Sequence, residues 1–294
     1  MTDDMGSTVP RRQLGRALRD LRTEAGVTLD AAAEALECSR QKVWRIESGL
    51  GSVRAVDVRA MCQLYDTNPE LTRALAALAS ETRARGWWHA YGDAIPEWFE
   101  LYVGLESAAS RLRFYKNSLV PGILQNRDYA RGIYRIDQPD MSDDDRERAV
   151  ELRLQRQSLL TRRLPQAPQV QVVLCESVLL RPVGDTGTMA GQLGHLLAMA
   201  RLPNVSIRVL PLAAGPHHGA VGGEFVLLGF PPGNRSTPEP PVVYSESWTG
   251  SLYLDRPAEV AAYEKVWSGL LSLALDEEQS KHLINKIIGE VHHG

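Results

Sequence analysis

The spacing of apolar residues predicts five short helices in the first third of the chain. Leu14, Leu18 and Leu21 recur at the helical period, and Gly26 stands where a helix C-terminus favours glycine. Apolar stripes of the same period continue beyond residue 75 and are interrupted by polar residues, glycines and an Asn-Pro pair. The five helices are expected at about residues 11–25, 28–36, 39–47, 53–66 and 69–85.

The second and third helices form the most informative pattern in the chain. Thr28 and Ser39 are each placed to cap a helix N-terminus, and Glu37 lies in the tight turn between the two helices. Val43 and Ile46 give the third helix a narrow buried stripe, which leaves its other positions polar and cationic. A helix-turn-helix places such a helix in the DNA major groove, with its N-terminal residues nearest the base edges. The pattern therefore predicts a DNA-binding hairpin, and the alternative is an αα-hairpin with solvated charges.

Four residues of the predicted recognition helix are expected to face the major groove, namely Ser39, Arg40, Gln41 and Arg45. Either Arg40 or Arg45 is expected to contact guanine, because a guanidinium can bind O6 and N7 in bidentate fashion. Gln41 is expected to pair with adenine or with a neighbouring phosphate. Trp44 is expected either to touch a sugar or a thymine methyl, or to pack on the fourth helix.

A second group of polar side chains is expected to contact the DNA backbone. It comprises Thr28, Lys42, Ser52 and Arg54. Hydroxyls and cations bind phosphate oxygens without distinguishing the bases, so these contacts would set the register of the protein on the duplex. Glu47 is interpreted as structural, because its carboxylate can tie the recognition helix to an arginine of the same head such as Arg22.

These five helices resemble the Xre/Cro-type DNA-binding head of many bacterial regulators. The residues that carry the resemblance are Leu14, Leu18, Arg22, Thr28, Ala33, Leu36, Ser39, Val43, Arg45, Ile46, Glu47 and Gly49. Two residues depart from the pattern of that family. Leu29 stands where such heads often carry a polar residue that braces against a phosphate, and Glu37 stands where the turn often has glycine. The second departure predicts a turn that either avoids positive φ or is strained in reaching it.

The charge of the head limits how tightly one copy can bind DNA. Residues 1–67 contain ten Arg and Lys and ten Asp and Glu, and the whole chain has a formal net charge of −3. The cations are concentrated in the recognition helix and just behind it. Few phosphates would be neutralised per head, so the affinity of a monomer and its salt dependence should both be modest. The protein is therefore expected to be a homodimer that places two heads on one operator.

Length and composition indicate a cytoplasmic protein of two domains. With 294 residues, of which 44% are hydrophobic and 23% charged, the chain is long enough for a second core. The N-terminus has no signal-peptide pattern, and no apolar run approaches the roughly 18 residues that span a bilayer. Three widely spaced cysteines fit reduced thiols and have no metal-ligand spacing. We expect a disordered N-terminus at residues 1–10, a DNA-binding domain at 11–85 and a regulatory or partner-binding domain at 86–294.

The hydrophobic period changes in the second domain and predicts an α+β fold. Helices are expected at about residues 98–115, 127–136, 142–163, 188–201, 257–275 and 277–291. β-rich runs bounded by glycine, proline and asparagine predict strands within residues 169–177, 204–212, 223–230, 241–247 and 250–255. The expected sheet has about five strands of mixed direction, with the last three antiparallel.

One loop of the second domain offers candidate chemistry. His217, His218 and Glu224 supply two imidazoles and a carboxylate on a glycine-rich segment, which makes them a candidate effector or partner site. Adjacent histidines rarely ligate one ion together, so no metal site is expected. The glycines match neither phosphate-loop nor dinucleotide fingerprints, and no serine has the glycine-flanked elbow that exposes a nucleophile. We therefore expect neither catalysis nor a cofactor.

Segments of the second domain resemble the C-terminal domain of actinobacterial antitoxin-like Xre regulators, including WhiJ-like proteins. These segments lie at residues 121–131, 179–196, 217–230 and 242–267. The resemblance implies a transcription regulator that is often encoded beside a small partner protein. Three interpretations of the domain stay open. It controls DNA binding through dimerisation, it binds and sequesters a small partner protein, or it senses a small-molecule effector.

Overall fold

The computed structural model of the protein describes residues 9–49, 53–81, 97–231, 240–247 and 250–291. The chain divides into two compact units, one made of Met1–Glu106 with Glu246–Glu259 and the other of Ser107–Ser245 with Val260–Gly294. Most of the segment expected to be disordered, residues 1–8, lies outside the described residues, and so does Ser52.

The first unit contains the helices that the apolar spacing predicts, close to their predicted limits. Their bounds are α1 (Val9–Glu24), α2 (Leu29–Ala35), α3 (Arg40–Glu47), α4 (Ala55–Leu64) and α5 (Pro69–Glu81), and α6 (Glu97–Ala108) follows. The α2–turn–α3 hairpin is the predicted helix-turn-helix, so α3 is the candidate recognition helix.

One hydrophobic core holds α1 to α5 together. Leu14 and Leu18 of α1, Val43 and Ile46 of α3, and Met61 of α4 are all buried in it. Full burial of an aliphatic side chain contributes about 1.5–3 kcal/mol, so these contacts are a large part of what stabilises the head. Because Val43 and Ile46 lie on one side of α3, the core also determines which side of this helix meets solvent.

A buried ion pair ties the end of α3 to α1. Arg22 donates from Nε to Glu47 Oε1 at 2.7 Å and from Nη2 to Oε2 at 3.0 Å. Its Nη1 donates to the carbonyl of Val27 at 2.8 Å. The hydrogen bond to Glu47 is the main cause that raises the pKa of Arg22. The interpretation of Glu47 as a structural residue agrees with this geometry.

α1 and α3 also approach each other closely at Gly15. A Cβ atom built on this residue would lie 2.4 Å from the carbonyl oxygen of Ile46. A carbonyl within a helix cannot move aside as the end of a flexible side chain can. Gly15 is therefore required by the distance between the two helices.

The rest of the chain has the predicted α+β fold. Its helices are α7 (Arg127–Asp137), α8 (Asp143–Gln155), α9 (Glu176–Leu180), α10 (Thr186–Met199), α11 (His218–Gly222), α12 (Pro257–Leu273) and α13 (Glu277–Val291). Its strands are β1 (Arg111–Lys116), β2 (Gln169–Cys175), β3 (Val205–Leu210), β4 (Phe225–Gly229), β5 (Val242–Ser247) and β6 (Gly250–Leu254).

The strands form one mixed sheet in the order β3-β2-β1-β4-β5-β6. β1, β2 and β3 are parallel, with Leu112 opposite Val170 and Val170 opposite Val205. β4 runs antiparallel to both β1 and β5. The first four residues of β4 are all buried, as expected of a strand that is covered on both faces.

The central strand β1 lies where the apolar spacing predicts a helix. The predicted helix at residues 98–115 is wrong in its second half, because α6 ends at Ala108 and β1 begins at Arg111. Leu105, Ala109 and Leu112 continue a helical period across this break. Residues 111–116 nevertheless form a strand, because they pair with β2 on one side and with β4 on the other. The sheet consequently has six strands, where about five were expected.

The predicted helix at residues 142–163 also ends early. α8 starts at the Ser142 cap as expected, since the Ser142 hydroxyl accepts the Asp145 amide at 3.1 Å. The α-helix stops at Gln155, and a 3-10 helix at Arg156–Leu160 follows. The Ser142 cap and the three acidic residues that follow it therefore located the start of this element but not its end.

Side chains and loops cover the outer edge of β3. The Val209 amide donates to Ser280 Oγ at 2.9 Å, and the Val209 carbonyl accepts from the Leu275 amide at 2.9 Å. Arg208 Nε donates to the Leu275 carbonyl at 2.7 Å. The bonds to Val209 occupy backbone groups at the edge of β3 that could otherwise pair with a strand of another chain.

The close approach at Gly15 predicts that Gly15→Ala destabilises the head by about 1–3 kcal/mol, because the new methyl group must push α1 and α3 apart. Gly194→Ala in α10 is the matched control, since a Cβ there has no atom within 4 Å. Alanine is the better helix former, so this control should be neutral or stabilising by up to about 1 kcal/mol. Hydrogen exchange followed by mass spectrometry measures the two units separately. Unchanged protection of α3 in Gly15→Ala would contradict the prediction.

Candidate nucleic-acid interface

Hydroxyl caps define where the two helices of the hairpin begin. Thr28 Oγ1 accepts a hydrogen bond from the Ala31 amide at 3.1 Å, and Ser39 Oγ accepts one from the Lys42 amide at 3.1 Å. Each cap satisfies an amide that has no partner within its helix. Both residues are exposed. The predicted capping roles of Thr28 and Ser39 are confirmed, and their hydroxyls lie at the surface.

The turn between α2 and α3 adopts a left-handed backbone at Glu37. Its φ is 49°, in a region that L-residues adopt at a cost of about 1–2 kcal/mol. The Cys38 amide donates to the carbonyl of Ala33 at 2.9 Å and closes the turn. The turn was expected either to avoid positive φ or to be strained in reaching it. It reaches positive φ at Glu37 without glycine, which is the second of these outcomes.

The exposed side of α3 is polar and cationic. Arg40, Gln41, Lys42 and Arg45 are all exposed. The first three belong to the first turn of the helix, where the macrodipole adds partial positive charge. Trp44 also reaches solvent, with 44% of its surface exposed. Its indole is thus accessible at the surface, as contact with a sugar or a thymine methyl requires.

Ion pairs bring the first turns of α2, α3 and α4 side by side. Arg40 Nε in α3 lies 3.5 Å from Oδ1 of Asp30 in the first turn of α2. Lys42 Nζ lies 3.9 Å from Oδ1 of Asp57 in the first turn of α4. Arg54, the residue before α4, donates to Asp57 from Nε at 3.0 Å and from Nη2 at 3.1 Å.

Of the eight residues predicted to contact DNA, six lie at or beside these helix starts, and a seventh, Arg45, lies in the last turn of α3. We refer to them as the cationic face, which consists of Thr28, Ser39, Arg40, Gln41, Lys42, Arg45 and Arg54. The eighth, Ser52, lies outside the described residues. The arrangement places cations, hydroxyls and helix N-termini together, which are the groups that proteins use to bind phosphate oxygens.

Asp57 is an ionised carboxylate between two cations. The hydrogen bond from Arg54 is the largest effect on the pKa of Asp57 and lowers it, the charge of Lys42 lowers it further, and partial burial opposes both. The same hydrogen bond raises the pKa of Arg54. Asp57 and Arg54 are therefore both charged at neutral pH.

Neither Asp30 nor Asp57 was expected from the sequence to have a role. The spacing of Arg54 and Asp57 is compatible with a pair in one helical turn. The contact of Asp57 with Lys42 joins two helices, and no sequence pattern reports it. Among the residues that the structure describes, Arg45 forms no ion pair.

Glu224 of the candidate loop is engaged within the second unit. Its Oε1 accepts the amides of Asn117 and Ser118 at 2.9 and 2.7 Å, and its Oε2 accepts Lys116 Nζ at 2.9 Å. These groups lie at the carboxyl end of β1, whose last residue is Lys116, and Glu224 directly precedes β4. Burial raises the pKa of Glu224, but Lys116 and the two amides outweigh it and hold the pKa below its usual value. The carboxylate therefore anchors the carboxyl end of the central strand.

The two histidines of this loop differ in environment. His217 caps α11, because its Nδ1 accepts the Ala220 amide at 3.2 Å, and its ring packs edge-on against Tyr115 at 5.9 Å. Partial burial and the neighbouring His218 lower the pKa of His217. His218 is exposed. His217 and Glu224 thus each have partners inside the unit, and of these three residues only His218 is exposed.

The described residues contain neither a metal-binding cluster nor a membrane-spanning helix. They contain no group of three or more His, Cys, Asp or Glu placed to hold a metal ion. None of the helices in the described ranges is long and apolar enough to cross a membrane.

Two family models match the chain. One is described as a helix-turn-helix domain and matches residues 13–75, which include α2, α3 and α4. The other is described as a domain of unknown function, DUF5753, and matches residues 99–286. No curated protein matches the chain. The helix-turn-helix match supports a DNA-binding regulator in general.

The anchoring role of Glu224 predicts that Glu224→Gln lowers the free energy of unfolding by roughly 1–3 kcal/mol at neutral pH, because the amide loses the charge that pairs with Lys116. The folded-state pKa is depressed, so this contribution is complete above about pH 4.3, where an unfolded Glu titrates. It declines as the pH falls through the folded-state value.

Hydrogen exchange of peptides from β1 and β4 measures this difference across the pH range. The difference in protection between wild type and Glu224→Gln should become smaller below about pH 4.3. His218→Ala, which changes an exposed side chain of the same loop, should match wild type throughout. If this difference in protection stays constant down to the lowest pH at which the protein is folded, the ionic role of Glu224 is ruled out.

Proposed function

The chain belongs to the family of the domain of unknown function DUF5753, and we propose that its helix-turn-helix domain makes it a sequence-specific transcription regulator that binds operator DNA through α3. The observation that carries the proposal is the cationic face. It collects exposed cations and hydroxyls at three adjacent helix N-termini, while the opposite side of α3 is buried in the core. Catalysis and cofactors have no part in this function.

In the proposed complex, the first turn of α3 enters the major groove. Arg40 or Arg45 contacts guanine through its terminal nitrogens, and Gln41 contacts adenine or a phosphate. Ser39 lies beside them at the helix start. Arg40 Nε lies 3.5 Å from Asp30, and 66% of the Arg40 side chain is exposed, so its guanidinium remains accessible to a base.

The DNA backbone is contacted by Thr28, Lys42, Ser52 and Arg54 in this proposal. Thr28 and Ser39 already accept a helix amide each, and a hydroxyl can still donate its own proton to a phosphate. Arg54 and Lys42 supply charge from either side of the α3–α4 junction. Such contacts set the position of the head without selecting a base.

We further propose that the protein acts in the cytoplasm as a homodimer. A head with few cations binds weakly by itself, whereas two heads on half-sites one helical turn apart, about 34 Å, bind together. The domain at residues 86–294 provides the dimerisation that the domain at 11–85 requires, and it receives the effector or partner that regulates binding. We also propose that the protein is an Xre-type, antitoxin-like regulator.

A partner protein is the second candidate for what the regulatory domain receives. Lys116 and two amides occupy three of the roughly four acceptor positions of Glu224 and hold its carboxylate in place, which leaves little of it to bind a small molecule. This observation favours the binding of a small partner protein over the sensing of a small-molecule effector. Co-purification of a stoichiometric small protein from the native host tests it.

Selection of bound duplexes from a random DNA pool, repeated at several salt concentrations, tests the DNA-binding proposal. The expected result is an enriched sequence with two symmetric half-sites, whose symmetry reports the homodimer. Absence of any enriched sequence at low salt would overturn the proposal.

Substitution of the base-contacting residues gives a sharper test. Arg40→Ala should cost about 1–3 kcal/mol of binding free energy at one base position, because a bidentate contact is lost. Arg19→Ala is the control, since Arg19 is an exposed arginine of α1 that pairs only with Asp20 among the described residues. Competition binding against each single-base variant of the selected site measures the effect. An equal loss on all sequences would instead make Arg40 a phosphate contact.

A further inference from the structure

We propose that Asp57 sets the DNA affinity of the head by acting as an internal substitute for a DNA phosphate, which holds Lys42 and Arg54 until DNA displaces it. The inference rests on the proposed function, because it concerns the same cationic face. Asp57 is an acidic residue that lies beside the cationic face, and the proposal gives this residue a role in DNA binding.

The contacts of Asp57 are those that a phosphate would make on this face. Arg54 approaches with Nε and Nη2 at 3.0 and 3.1 Å, in the bidentate arrangement that guanidinium groups also form with phosphate. The Arg54 amide lies 3.4 Å from Oδ2. Lys42 reaches the same carboxylate from α3, with Nζ 3.9 Å from Oδ1. One anion thus engages two cations and a backbone amide on two helices.

The exposure of these side chains allows the exchange. Lys42 and Arg54 are 50% and 61% exposed, whereas Asp57 is 23% exposed. Ion pairs with such exposed partners add little to folding stability, so breaking them does not unfold the head. A phosphate that approaches either cation also meets the negative charge of Asp57. DNA must therefore displace the carboxylate or tolerate it, and both weaken binding.

The effect falls on backbone contacts and leaves base contacts alone. Asp57 touches Lys42 and Arg54, which are proposed to contact phosphates, and it has no contact with Arg45, which forms no ion pair among the described residues. Phosphates are present at every site, so Asp57 lowers the affinity for all sequences. A head restrained in this way stays on DNA only when base contacts and a second head add to the binding energy.

The test compares Asp57→Asn with wild type, as the full chain, on the selected operator duplex and on a scrambled duplex of equal length. Asparagine keeps a side-chain oxygen for the Arg54 amide and removes the charge. We expect roughly a two- to tenfold gain in affinity for both duplexes at low salt, because exposed charge pairs are worth little each. The slope of log affinity against log salt should steepen by about 0.9 for each cation released to DNA.

Three further variants identify the cause. Asp57→Glu restores the charge and should bring affinity back towards wild type. Asp20→Asn removes the same charge from the exposed Arg19–Asp20 pair on α1 and should have less effect. In an Arg54→Ala background the gain from Asp57→Asn should shrink, because one of the two cations that it releases is absent.

Each outcome decides between the alternatives. Affinity and salt slope equal to wild type in Asp57→Asn, while Arg40→Ala still loses base discrimination, would overturn the role of Asp57 and leave the proposed function standing. Weaker binding in a folded Asp57→Asn would also overturn it, because Asp57 would then position Arg54 for DNA. If Asp57→Asn and Asp20→Asn raise the DNA affinity equally, the gain comes from the net charge of the chain and not from the contacts of Asp57, and the proposal is overturned. If neither wild type nor Asp57→Asn binds any duplex, both the proposed function and this inference fail.

Discussion

The bidentate ion pair between Arg22 and Glu47 is the interaction on which the geometry of the head depends. Both side chains are largely removed from solvent, with 13% and 4% exposed. Loss of one partner from such a pair leaves a buried charge and costs about 3–5 kcal/mol. The pair fixes the end of α3 against α1, and the close contact at Gly15 fixes the distance between the two helices. The first turn of α3 is thereby presented to solvent in one orientation.

Because α3 is held in this position, its cations lie within reach of carboxylates on the neighbouring helices. Asp30 and Asp57 stand on either side of the recognition helix, in the first turns of α2 and α4. Negative charge at a helix N-terminus is favourable in itself, so these positions suit acids whether or not DNA is bound. The same physical preference that stabilises the helix starts also supplies the anions that pair with Arg40 and Lys42. Ten acidic and ten basic residues at positions 1–67 are consistent with binding that depends on base contacts and on a second copy.

The sheet region shows where apolar spacing is an incomplete guide. Five strands have uninterrupted β-rich runs between turn residues, and each of them is found where it was predicted. β1 is different, because Leu105, Ala109 and Leu112 keep a helical period across the end of α6. Only pairing with β2 and β4 reveals the strand. The same applies to Glu224, whose role depends on amides more than 100 positions earlier in the chain.

The sequence by itself determined the helix-turn-helix, its capping residues, the cationic side of α3 and the α+β class of the second domain. These features depend on local periods, helix ends and turns, which neighbouring residues encode. The tertiary structure decided the central strand, the anchoring of Glu224 and the pairing of Lys42 with Asp57. Each of these joins residues from different elements, and no local pattern reports which distant partner a side chain meets. The motif therefore indicated the face proposed to contact DNA, and the fold placed the Asp57 carboxylate beside two cations of that face.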